Sequence, residues 1–152
     1  MTEFESLLGD ITLTWIDRNF LFDVWIEALR RGPYVQGFSA LLKHGHYCPL
    51  GVLCSVAEIP FEYPRGPHSA ASFAGRRASL PMPLAEFMDV TEWVDFRNAI
   101  PATKSVVPRV EYPAGSIVSL NDNARWSFNE IARYLEDHRT NLREYPHDKK
   151  KR

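Results

Sequence analysis

Cys48 is the residue best placed for chemistry in this chain. Pro49 follows it, and a proline at the first position of a helix would set the thiol at the helix N-terminus. The positive end of the helix dipole favours a thiolate there, and His46, with His44 close behind, is within reach as a base. That set predicts a cysteine-dependent hydrolase or transferase as one reading. The competing reading is packing, because beside Leu50 and Leu53 a cysteine serves as a small buried hydrophobe. Sequence neighbours seldom supply a catalytic geometry, so no catalytic residue is assigned beyond the Cys48 and His46 candidates.

The same stretch offers zinc-ligand types in His44, His46, Cys48 and Cys54. Structural zinc sites draw two separated pairs from two elements, whereas these four lie inside eleven residues and only His68, His138 and His147 stand elsewhere. No metal and no cofactor is expected. The two cysteines, at i and i+6, would point roughly 240° apart on a shared helix, which predicts free thiols rather than a bridge.

A second set is polar. Asn121 and Asp122 precede a helix, and such side chains bond their own backbone to make tight turns. If helix packing instead brought Asn121, Asp122 and Gln36 together, they would form a ligand-binding pocket with Tyr34 or Trp126 as its aromatic wall. Arg65, Arg76 and Arg77 could reach phosphates from a long loop. No Walker pattern and no G-x-G-x-x-G follows a plausible strand, so nucleotide hydrolysis of the familiar types is not expected.

The elements that must position these residues follow from periodicity. From Asn19, read as an N-cap, Leu21, Val24, Trp25, Ala28 and Leu29 fall on one helical face, and Gly32-Pro33 ends it. Residues 38–42 are apolar and read as a strand or one or two helical turns. A second helix is predicted from Pro49 to Glu58, with Cys48 as N-cap and Pro60 as its stop. Residues 60–83 carry five prolines and two glycines and read as a long loop, functional or disordered. Helical spacing returns at Leu84, Phe87 and Met88 and again at Trp93, Val94 and Arg97, with Asp89 or Thr91 as a cap between. Residues 105–112 alternate as an edge strand around Pro108, and residues 12–16 read as a short strand or an irregular lead-in. Ser127-Phe128-Asn129-Glu130 has the form of a capping box and opens the clearest helix, 127–138.

Three stretches together resemble a family of small uncharacterised proteins associated with bacteria and their phages. They are residues 25–32, Trp-Ile-Glu-Ala-Leu-Arg-Arg-Gly, running on to Tyr34 and Gln36; residues 47–54, Tyr-Cys-Pro-Leu-Gly-Val-Leu-Cys; and Leu120-Asn121-Asp122 followed by Ser127-Phe128 and Ile131-Ala132. Pro49 stands where the family commonly has a second cysteine, and Ser55 where it commonly has an aspartate. The family has no established activity, so the resemblance implies kinship and carries no catalytic residue.

The chain has 152 residues, 45% hydrophobic and 24% charged, which fits one folded domain over 1–146 with a basic tail at 147–152. A formal charge of −1 provides no field to hold it on nucleic acid or an anionic membrane. Acidic Glu3 and Glu5 replace a basic secretory leader, and no apolar run could span a bilayer, so the expected location is the cytoplasm. The fold class expected is α+β: a helix-dominated single domain with a small antiparallel sheet or hairpin, its core drawn from Trp25, Leu29, Leu53, Val56, Leu120, Phe128, Ile131 and Leu135. The function expected is a non-enzymatic binding protein for a small molecule or protein partner. The alternatives are the Cys48 enzyme and a structural or regulatory protein that oligomerises through exposed aromatics.

Overall fold

The computed structural model describes residues 17–97 and 115–146. The strands expected at 12–16 and 105–112 and the basic run at 147–152 lie outside these residues.

Helix α1 (Arg18–Arg31) buries Leu21, Phe22, Trp25, Ile26 and Leu29 along one face. Its start corrects the expectation at Asn19. Asp17 is the N-cap, its carboxylate accepting from the amides of Asn19 at 2.9 Å and Phe20 at 3.4 Å. An aspartate both satisfies two orphan amides and sets negative charge at the positive end of the dipole.

Three two-residue strands follow: β1 (Val35–Gln36), β2 (Leu42–Lys43) and β3 (His46–Tyr47). β3 is central, parallel to β1 and antiparallel to β2, with Val35 opposite His46 and Leu42 opposite Tyr47. His44 and Gly45 both have positive φ, 54° and 77°, the geometry of a two-residue hairpin between β2 and β3. Residues 38–41 are therefore not helical turns; only Leu42 of that run is in a strand.

Helix α2 (Pro49–Val56) starts with Pro49 as expected, although the Cys48 side chain makes no capping hydrogen bond of the kind a serine or aspartate makes. It ends before Glu58. Glu58 sits at φ 61°, its amide donating to the Ser55 carbonyl at 2.9 Å and that of Ile59 to the Cys54 carbonyl at 3.0 Å. That pair of bonds closes the helix before Pro60 is reached. Gly51 is required by packing, since a Cβ there would overlap the carbonyl oxygen of Leu41.

The proline-rich stretch 60–83 is not structureless. It holds a hairpin, β4 (Phe61–Glu62) against β5 (Ser72–Phe73), antiparallel with Phe61 opposite Phe73, and Ala71, Phe73 and Leu80 reach the core. Helix α3 (Met82–Met88) then closes on Asp89, which takes a left-handed conformation at φ 56°. Asp89 thus terminates a helix rather than starting one. The helical spacing at Trp93, Val94 and Arg97 is a correction too. The amides of Phe96 and Arg97 donate sideways to the carbonyls of Gly115 and Asn141, at 2.8 and 2.7 Å, rather than back along a helix.

Helix α4 (Ile117–Asp122) is capped by the Ser116 hydroxyl, which accepts from the Ser119 amide at 3.1 Å. Asn121 and Asp122 therefore lie inside a helix, not in a turn. Helix α5 (Phe128–His138) has the reciprocal capping box expected of Ser127 and Glu130, with bonds of 2.8 and 3.1 Å, and leads into a 3₁₀ turn, Arg139–Asn141.

The Trp25 indole N–H donates to the Pro49 carbonyl at 2.8 Å, joining α1 to α2 inside the core. Leu29, Leu53, Leu120, Phe128, Ile131 and Leu135 are buried as expected, and Val56 is only partly so. The architecture is α+β with helices dominant and, among the described residues, two small sheets. Among the described residues no helix is long and apolar enough to cross a membrane.

Candidate functional site

Gln36, Asn121 and Asp122 do converge. Gln36 Nε2 donates to Asn121 Oδ1 at 2.7 Å and to the Trp126 carbonyl at 2.8 Å. Asn121 Nδ2 donates to the Gly37 carbonyl at 2.8 Å and to Asp122 Oδ1 at 2.9 Å, and that oxygen also accepts from the Ser39 amide at 3.0 Å. Asn121 and Asp122 are almost wholly buried. These bonds tie the β1 segment to α4, so the atoms named here serve one another. Tyr34 bonds elsewhere, its hydroxyl to Ser55 Oγ at 3.2 Å and its ring edge-on to Tyr47. Trp126 packs edge-on against Tyr134, and its indole N–H is buried with no hydrogen-bond partner among the described residues.

Cys48 has the helix N-terminal position that the sequence implied, but burial overrides the dipole. Burial pushes its thiol up to about 12, the nearby Asp122 charge adds to that, and the backbone bonds of the helix start only partly oppose it. His46 is exposed whereas Cys48 is buried. Cys54 is likewise buried with its thiol pushed well up by burial, and both cysteines are free. Among the described residues no three or more His, Cys, Asp or Glu side chains gather as a metal set.

The site that the sequence did not disclose is a cleft of about 310 Å³ beside α3. Met82 and Ala85 of α3 form one side, Trp93 and Tyr145 supply aromatic surface, and Thr91, Glu92, Asp95 and Arg76 supply the polar groups. Each is positioned by a traceable device. Asp89, at the left-handed end of α3, accepts from the Tyr145 amide at 3.1 Å and so draws the C-terminal segment over the cleft. The Leu80 amide donates to the Glu92 carbonyl at 2.9 Å. Arg76 Nη1 donates to Glu92 at 2.8 Å and to the Ser79 hydroxyl at 3.1 Å, which fixes that arginine at the rim and neutralises it.

Between Trp93 and Asp95 the backbone is strained. Val94 has φ 60° and is wholly buried, a conformation that a β-branched residue adopts only when its surroundings impose it. The surroundings are visible: its amide donates to the Thr91 carbonyl at 3.0 Å and its carbonyl accepts from the Ile117 amide at 2.9 Å. The Asp95 carbonyl accepts from the Arg143 amide at 2.8 Å. Flanked by the 115–117 and 141–143 segments, the turn presents Trp93 and Asp95 to the same cleft.

Asp95 has an altered acidity. Burial pushes its carboxyl above the usual range, and Glu92 adds to the rise, while the Thr91 hydroxyl and the Arg143 charge pull it down. The Thr91 hydroxyl donates to Asp95 Oδ1 at 3.0 Å and accepts from the Asp95 amide at 3.0 Å.

Two other concavities lack this organisation. A larger groove of about 570 Å³ has Asp23, Val24, Glu27, Ala28, Arg31 and Gly32 as its described lining, all from α1 or its C-cap. A pocket of about 230 Å³ gathers Arg18, Arg97 and Arg139, but these are tied to the Phe87 carbonyl, Glu144 and Asp23 at 2.9, 2.7 and 2.7 Å.

In comparison with known proteins, the sequence model of a domain of unknown function, DUF8296, matches residues 19–139. No curated protein and no solved structure matches the chain.

Proposed function

The chain belongs to the family of the domain of unknown function DUF8296, and on that premise we propose that it is a non-enzymatic binding protein whose ligand is a small molecule held in the Trp93–Asp95–Tyr145 cleft. The observation that carries the reading is Asp95, a half-buried carboxylate in an aromatic-walled cleft, presented by a strained turn. A bacterial or phage origin and a cytoplasmic location belong to the same proposal and rest on the sequence. The Cys48 enzyme is the weaker reading, because its buried thiol lacks the thiolate character that motivated it.

Native mass spectrometry of the protein purified from its host tests the proposal. The expected result is a co-purifying small-molecule mass that persists in the Gln36→Ala variant and disappears in Trp93→Ala. Loss of the ligand on changing Gln36 or Asp122, with Trp93→Ala unaffected, would move the site to the α4 cluster.

A further inference from the structure

The charges around the cleft define which small molecule it fits. Arg76 is the basic side chain on its lining, and Glu92 already holds it at 2.8 Å with the Ser79 hydroxyl beside it. Once that pair is set aside, Asp95 is the remaining charge among the described residues of the lining. Arg143 acts on it electrostatically from the C-terminal segment and Glu92 opposes that effect from the turn. Asp95 Oδ1 receives one neutral donor, the Thr91 hydroxyl. A half-buried carboxylate so placed is best matched by a charged N–H donor, and the Trp93 ring by an apolar or cationic body.

Resting on the cleft reading above, we infer that the ligand is a small organic cation, a protonated amine carried on an apolar body, with the ammonium on Asp95 and the body against Trp93, Tyr145 and Met82. A carboxylate or phosphate ligand is disfavoured, since it would meet Asp95 as a like charge. Binding depends on the ionised carboxylate. Affinity for the amine is therefore full above the Asp95 pKa and falls as pH drops through it, and because that pKa is raised the loss begins at a higher pH than an ordinary aspartate would give.

The test uses three probes of one shape on the full chain: 2-phenylethylamine, 2-phenylethanol and phenylacetate. Each is titrated while the Trp93 indole N–H resonance, assigned by its absence in Trp93→Phe, is followed by NMR. The expected result is saturable shifts with the amine at least about tenfold tighter than the alcohol, a margin typical of one charge-assisted hydrogen bond, and phenylacetate weakest. Asp95→Asn, which keeps an acceptor for the Thr91 hydroxyl, should bring the amine-to-alcohol ratio to about one. Equal binding of amine and alcohol to the unaltered protein, or tighter binding of phenylacetate, overturns the cation assignment and leaves the cleft as a binding site. No response of the Trp93 resonance to any of the three overturns the cleft reading and this inference with it.

Discussion

Asp95, the group on which the proposed binding rests, also carries a cost in stability. Because the folded-state pKa of Asp95 is raised, folding favours its protonated form; the ionised group destabilises at neutral pH, and that penalty is relieved as pH falls through the folded pKa. Asp95→Asn should thus leave the melting temperature at pH 7 unchanged or raise it while removing the preference for an amine, and a marked fall by calorimetry would make Asp95 a structural residue instead. Asn121 has the opposite character. Asn121→Ala strands the buried Gly37 carbonyl and removes a donor from Asp122, so chemical denaturation should show a loss of about 2–3 kcal/mol. A loss below about 0.5 kcal/mol would contradict the latch that ties β1 to α4. Cys48, with its thiol pushed up to about 12, should react with iodoacetamide at pH 8 on the order of a thousandfold more slowly than an ordinary thiol until the protein unfolds. An ordinary rate in the folded protein would restore the enzyme reading. Some of this was legible in residue types: Gln36, Asn121 and Asp122 stood out as a set. Asp95 did not, since a lone aspartate after Trp-Val has no spacing signature and its environment comes from segments distant in sequence.

The elements with local signals were readable, and those built by distant partners were not. The capping box of α5 was complete in four residues, and Ser127→Ala should cost about 1 kcal/mol of stability. The proline start of α2 was equally local. Its glycine was not, because only the fold brings the Leu41 carbonyl against Gly51; Gly51→Ala should destabilise by about 3 kcal/mol or prevent folding, and a neutral effect would contradict that packing. Trp93, Val94 and Arg97 show where periodicity misleads. They have helical spacing, yet their segment is held sideways by Gly115 and Asn141, and no window of local sequence contains those partners. The hairpin within 60–83 was hidden for a related reason: its strands are two residues each, too short for an alternating run, with Phe73 buried and Phe61 exposed.

Across the whole molecule, the scaffold and the cleft come from different parts of the chain. The three stretches that carry the family resemblance interlock: Trp25 bonds the Pro49 carbonyl, Tyr34 bonds Ser55 next to the second stretch, and Gln36 bonds Asn121. Those contacts explain the motif residues as fold-holding groups. None of the cleft residues, from Arg76 to Asp95 and then Tyr145 and Pro146, lies in those stretches, and the last two fall beyond the matched region 19–139. Recognising the family therefore exposes the frame and leaves the proposed site unmarked. The most direct measurement of the central claim is a crystallographic fragment screen of the protein. The account predicts bound fragments concentrated in the Trp93–Asp95–Tyr145 cleft, with amine nitrogens at Asp95. Fragments gathering instead along the Asp23–Gly32 face of α1 or against the α4 cluster, with the cleft empty, would contradict it.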